Sequence, residues 1–186
     1  MEDFHRDEPV TERIAGKEIS MWWRTFLDHN TVTGKLGCIF GNYFWKKPVM
    51  VIGGVGLFLD EENIFVPDVM IISNRESIHE DAIYGAPDLV VEVLSPSTMR
   101  RDRTVKMKKY AAAGVREYWI VTPGTKSVEV YLNQEGTFEL DEVYVDFTEL
   151  ELKAMDEEER QAVKWQIKVS LYDDLFVDVK EIFEKV

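Results

Sequence analysis

Residues 87–96 read Pro87-Asp88-Leu89-Val90-Val91-Glu92-Val93-Leu94-Ser95-Pro96. An aliphatic, β-branched run closed off by prolines is the pattern of a buried strand, and a glutamate stands inside it. Alternate residues of a strand share a face, so Asp88, Val90, Glu92 and Leu94 point one way and Leu89, Val91 and Val93 the other. Glu92 therefore has apolar neighbours on its own face. A buried ionised carboxylate is costly unless it is paired, so Glu92 requires a cation, a set of donors or a metal.

Upstream, Ile64–Ile72 ("IFVPDVMII") reads as the preceding strand, apolar except for Asp68, which shares its face with Val66 and Met70. Two strands that each bury one carboxylate fit a shared cation site, because a hard divalent ion takes oxygen ligands and offsets their mutual repulsion. The plain alternative is that each carboxylate pairs with a lysine or arginine, or lies at a strand end in water.

Downstream, "SPSTMRRDRTVKMKKYAAAGV" has helix punctuation: Pro96 with Ser97 or Thr98 at the start, and Gly114 where a left-handed C-cap would sit. The spacing predicts a helix from about Thr98 to Ala113. Asp102, Lys106 and Tyr110, at i, i+4 and i+8, then share one helix face. Either Asp102 and Lys106 form a surface pair worth roughly 0.3–0.5 kcal/mol, or that face turns to the sheet and brings the Lys106 ammonium to the carboxylates.

The rest of the chain frames this centre. "ERIAGKEISM" predicts a short strand, and Trp22, Phe26, Leu36 and Phe40 fall near helical spacing after it. "PVMVIGGVGLFL" predicts a bent or bulged strand. "REYWIVTP" and "SVEVYLN" predict two strands joined at Pro123-Gly124-Thr125, followed by "TFELDEVYV", an exposed helical turn at "DEEERQAV", and a strand with a short amphipathic end. The order predicts an α/β fold, a mixed sheet with a crossover helix, built as one domain over residues 1–186.

Composition excludes several classes. A single cysteine, Cys38, removes any intrachain disulfide framework or cysteine-based zinc site. His5, His29 and His79 lack metal-ligand spacing. No Gly-x-Ser-x-Gly elbow is present. Trp22, Trp23, Trp45 and Trp119 fit a core better than a base-stacking platform, since basic residues do not alternate with them. The acidic start and the glycine-broken run near Val49–Leu59 predict neither a signal peptide nor a membrane span, which places the chain in the cytoplasm. The net charge of −13 argues against indiscriminate nucleic-acid binding. The charge is uneven, however, and the dense basic cluster is Arg100, Arg101, Arg103, Lys106, Lys108 and Lys109.

The combination of "VPDVMII", "GAPDLVVEVLSPST", then "RD" with a lysine four residues later and a tyrosine four after that, closing in "AAAGVREYWIV", resembles the Uma-two family. That family is grouped with restriction endonucleases as a branch of the PD-(D/E)XK nuclease superfamily. The resemblance is close from Ile64 to Val121 and looser at "RIAGKEISM", His29 and "VSLYDDLF". It implies a restriction-endonuclease-like core, a mixed central sheet flanked by helices, and a metal-dependent endonuclease that hydrolyses DNA phosphodiester bonds.

Carried over residue by residue, Asp68 and Glu92 become the acidic ligands of Mg2+ (or Mn2+). Leu94 stands where the motif's lysine belongs, so Lys106 on the next helix becomes its counterpart and the third catalytic residue. Asp88 is a second Pro-Asp that could replace Asp68, and Glu18 is the candidate for an additional N-terminal acid. Arg100, Arg101 and Arg103 could contact flanking phosphates, or form a solvated basic face. Two other readings stay open: a nuclease-like fold that binds nucleic acid or a protein without cutting, and a homodimer in which the basic helix meets the acidic C-terminal part of a second copy.

Overall fold

The computed structural model describes residues 10–21 and 27–186. Strands β1 (Val10–Ile14) and β2 (Lys17–Met21) form a hairpin where the sequence predicts a single strand. Its two-residue turn is Ala15-Gly16, both at positive φ, the conformation that matches strand twist. Helix α1 (Leu27–Phe44) buries Val32, Leu36, Phe40 and Phe44, a stripe repeating every four residues. Trp22, Trp23 and Phe26 lie outside the described residues. Trp45, expected in the core, is 82% exposed because it falls just past the end of that stripe, whereas Trp119 is fully buried.

The predicted bent strand is two pieces, β3 (Met50–Ile52) and β4 (Leu57–Phe58). The predicted Ile64–Ile72 strand is also two, β5 (Ile64–Phe65) and β6 (Val69–Ile72). Val66-Pro67-Asp68 separates them, and the proline has no N–H to continue a ladder. β7 (Ile83–Tyr84) leads to β8 (Leu89–Val93), in which all five residues are buried. Next come helix α2 (Met99–Arg101), a π-helical turn at Asp102–Lys106 and helix α3 (Met107–Ala113), closed by Gly114 at φ 96°. The helix therefore occupies the predicted span, but it is not regular. The Thr104 hydroxyl donates to the Arg100 carbonyl, the kind of side-chain bond that loosens a helical ladder.

Strands β9 (Glu117–Thr122), β10 (Ser127–Gln134) and β11 (Thr137–Val145) follow. Two short exposed helices, α4 (Glu149–Ala154) and α5 (Glu157–Ala162), each open on a capping box. The chain ends in hairpin β12 (Gln166–Lys168) and β13 (Phe176–Asp178) and helix α6 (Val179–Phe183).

The main sheet runs β11-β10-β9-β8-β6-β3. It is mixed: β8 and β9 are parallel, joined across α2 and α3, and the remaining pairs are antiparallel. A smaller sheet, β2-β1-β5-β4-β7, contributes to the second core. The alternation read in β8 holds. Leu89, Val91 and Val93 enter one core with α1, α6 and the C-terminal hairpin, and Val90 and Leu94 enter another with Tyr110 of α3 and Phe65 of β5. Among the described residues no helix is long and apolar enough to cross a membrane.

Candidate active site

Glu92, the fourth residue of β8, lies in a pocket closed from three directions. Lys106 reaches it from the π-helical turn, with Nζ 3.1 Å from Oε1. Tyr110, one turn further along, donates its hydroxyl to the same oxygen at 2.7 Å. The Lys106 ammonium also lies 2.8 Å from Glu12 Oε1 on β1 and 3.4 Å from Asp102 Oδ1. Lys106, Glu12, Glu92 and Asp102 are all at most 3% exposed. Of the two readings of the helix face, the inward one holds, and the Asp102–Lys106 pair exists as part of the buried cluster.

The electrostatics follow from three carboxyl groups gathered on one ammonium. Burial works against the lysine's charge, but Glu92, Asp102 and Glu12 outweigh it and hold the Lys106 pKa above its ordinary value. Burial drives the Glu92 carboxyl well up; Lys106 pulls it back, while Asp102, Asp68 and Glu12 push the same way as burial. Burial also raises Asp102, against Lys106. Glu12 Oε2 and both Asp102 oxygens are buried without a hydrogen-bond partner among the described residues. The Asp102 backbone carbonyl, in the π-helical turn, accepts from the buried Tyr118 hydroxyl at 3.1 Å. π-turns of this kind recur at functional sites.

Asp68 reaches the same region from the bend just before β6. Val69 faces Val91 and Met70 faces Val90 across the β6–β8 pair, and one further step of that antiparallel register sets Asp68 beside Glu92. Asp68 Oδ2 accepts from the Val93 N–H at 2.7 Å, and Oδ1 lies 3.3 Å from His29 Nε2, delivered by the first turn of α1. Burial opposes the charge on His29, but Asp68 prevails and raises its pKa. The segment bearing Asp68 is held tightly against β3, where a Cβ at Gly53 would collide with the Asp68 carbonyl.

Other sequence candidates sit elsewhere. Asp88 opens β8 as an ordinary strand-end carboxylate, accepting from the Ser73 N–H and from Arg116. Glu18 is exposed on β2 and pairs with Arg13, its cross-strand neighbour. The acid that the hairpin turns inward is Glu12, whose Oε1 also accepts from the Val66 N–H at 3.1 Å. The signal for it was present: Glu12 stands between Val10 and Ile14 at face-sharing positions, the same apolar setting that marked Glu92 and Asp68. In the basic helix, Arg103 forks onto Glu129 through two 2.6 Å bonds, Arg100 is exposed, and Arg101 is half-buried.

The residues present fit a magnesium-type ion. Among the described residues no group of three or more His, Cys, Asp or Glu side chains is arranged to hold a metal ion. Magnesium, however, is ordinarily held by one or two carboxylates, with waters and substrate phosphates completing its shell. Asp68, at the bend before β6, and Glu92, on the neighbouring β8, are two carboxylates of that kind. Both hydrogen bonds that Glu92 accepts converge on Oε1, leaving Oε2 without one among the described residues.

Comparison with known proteins agrees with this architecture. No curated protein matches the sequence. A solved structure, "a putative nuclease belonging to DUF820" from Anabaena variabilis ATCC 29413, superposes with a TM-score of 0.70 at 19% identity, covering 94% of this chain and 90% of that one. At that identity the likeness concerns the fold alone, a mixed α/β arrangement of sheet and flanking helices. The Uma2 family, described as "Putative restriction endonuclease", matches residues 1–163. That span takes in β1 with Glu12, the Asp68 bend, β8 and the whole Lys106 helix, and the chain belongs to the Uma2 family.

Proposed function

We propose that the protein is a metal-dependent endonuclease that hydrolyses DNA phosphodiester bonds, working as a single domain in the cytoplasm. The observation that carries this reading is the hold of Asp68, at the bend before β6, on the backbone of β8 beside Glu92, with Glu92 braced by a lysine from the next helix. Asp68 and Glu92 would hold Mg2+ or Mn2+, which when bound polarises the scissile phosphate and lowers the pKa of a water.

The chain's own groups set the geometry. Lys106 has three N–H donors facing three carboxyl groups and is 1% exposed, so its role is to hold Glu92 in place rather than to touch water. With its pKa raised it stays protonated and cannot serve as a base. Tyr110 fixes the same oxygen. Arg100 and Arg101, at the opening of the same helix, are the side chains placed to meet flanking phosphates, whereas Arg103 is already engaged by Glu129.

A second reading, a nuclease-like fold that binds nucleic acid or protein without cutting, is favoured by the net charge of −13 and by the enclosure of Lys106. Incubation with supercoiled plasmid and branched DNA separates the two. Cleavage should require Mg2+ or Mn2+ and vanish in Asp68→Asn and Glu92→Gln. A salt-dependent shift of DNA mobility with no cleavage under any metal would sink the enzyme reading and leave the binding module.

A further inference from the structure

His29 is absent from the cation-binding and lysine arrangements described so far, yet it faces Asp68. It lies in the first turn of α1, its side chain 16% exposed, with Nε2 3.3 Å from Asp68 Oδ1. The other carboxylate oxygen of Asp68 accepts from the Val93 backbone N–H at 2.7 Å. One oxygen is thus held by β8 and the other faces α1. The torsion that turns a carboxylate about its last bond is broad and poorly defined by itself, so a carboxylate anchored at one oxygen alone can swing.

We propose that His29 is a positioning residue: it fixes the rotation of the Asp68 carboxylate so that Asp68 and Glu92 present oxygens to one divalent cation. The proposal rests on the metal-dependent reading above. Its physical basis is the rigidity of the element that brings the imidazole. α1 is pinned to the main sheet by Val32, Leu36, Phe40 and Phe44, all buried, so His29 is presented by a helix that cannot drift with its partner. Partners that orient a metal's ligands typically account for about 10–100-fold in metal affinity. A purely structural His29–Asp68 pair would alter stability and leave affinity for the ion unchanged.

The test is a calorimetric titration of the full chain with Mn2+ at fixed pH, performed on the wild type, His29→Ala, His29→Gln and Asp68→Ala, with folding checked by circular dichroism. The wild type should bind saturably and Asp68→Ala should lose the signal. His29→Ala should bind about 10–100-fold more weakly. His29→Gln, whose amide N–H can donate to the same oxygen, should recover most of the affinity, and it serves as the decisive variant if the alanine form misfolds. Wild-type affinity in His29→Ala alongside loss in Asp68→Ala would overturn the role of His29 alone. A glutamine variant as weak as the alanine one would overturn it too. Equal Mn2+ behaviour of the wild type and Asp68→Ala would instead overturn the metal reading, and this inference with it.

Discussion

The Lys106 ammonium lies 2.8 Å from Glu12 Oε1, and the two side chains are 2% and 0% exposed. A strand from the start of the chain therefore supplies a counter-charge to a lysine on the crossover helix. Removing one partner of a buried pair leaves uncompensated charge and costs about 3–5 kcal/mol. Lys106→Met should accordingly melt far below the wild type, and adding Glu12→Gln should recover part of the loss by removing one stranded carboxylate. Thermal denaturation of the single and double variants checks this. A Lys106→Met variant as stable as the wild type would mean that the three acids are satisfied without the lysine.

The pH dependence of the metal-free protein follows from Glu92. Burial raises its carboxyl well above the ordinary range, so between the unfolded and folded pKa values the folded state binds more protons. Stability from this group is lost as pH rises from the usual glutamate region through the folded value. His29, also raised, acts in the same direction: its contribution is present below the unfolded value of about 6.5 and disappears as pH climbs through the folded one. Melting temperature should rise as the pH is lowered from 8 to 5.5. Glu92→Gln should flatten that rise and be the more stable form at pH 8.

Magnesium should offset the same repulsion. A ligand that binds only the folded state stabilises it by mass action, so millimolar Mg2+ should raise the wild-type melting temperature at pH 8 and leave Glu92→Gln nearly unmoved. If neither Mg2+ nor Mn2+ shifts the wild type, and Glu92→Gln melts well below it, Glu92 is a structural carboxylate held by Lys106 and Tyr110.

Salt dependence of DNA binding should resolve the three arginines individually. Each phosphate contact on duplex DNA contributes about 0.9 to the slope of log affinity against log salt. Arg100→Ala and Arg101→Ala should each flatten the slope by about one contact. Arg103→Ala should hardly change it, because that guanidinium is forked onto Glu129. A slope unchanged in all three would remove this helix from the interface.

Gly53→Ala tests the coupling of β3 to the Asp68 bend. The added methyl would meet the Asp68 carbonyl, a backbone atom that cannot swing aside, so the strands must separate. The variant should lose stability and Mn2+ affinity together. Unchanged affinity would show that the carboxylate is insulated from its own backbone.

The strand-and-helix centre was legible because its signals are local. The two faces of β8 follow from its own alternation, and the helix over Met99–Ala113 follows from its punctuation and Gly114. The inward turn of Lys106 was one of two open readings, since i, i+4 spacing places side chains on a helix face without saying what that face meets. What escaped depends on distant partners. Ile64–Ile72 divides between two sheets because Pro67 breaks the ladder and β1 captures β5. Glu12, unlike Glu18, carries the local mark of apolar face-sharing neighbours, but that mark becomes a buried acid only through the elements that cover one side of the hairpin. The π-helical turn has no compositional mark beyond Thr104, a residue as common in regular helices.

The order in which the charged cluster can assemble follows from its spacing along the chain. Asp102 lies one turn from Lys106, and Glu92 is 14 residues away, so those three can meet as soon as β8 and its helix collapse. Glu12 must arrive from far upstream of both, through a loop closure that spans every intervening strand. During synthesis the hairpin that carries it is made before the helix and waits for a lysine not yet added. The final sealing of the pocket is therefore a late, non-local event, and an unfolding that begins at that hairpin would open the site while the central sheet remained intact.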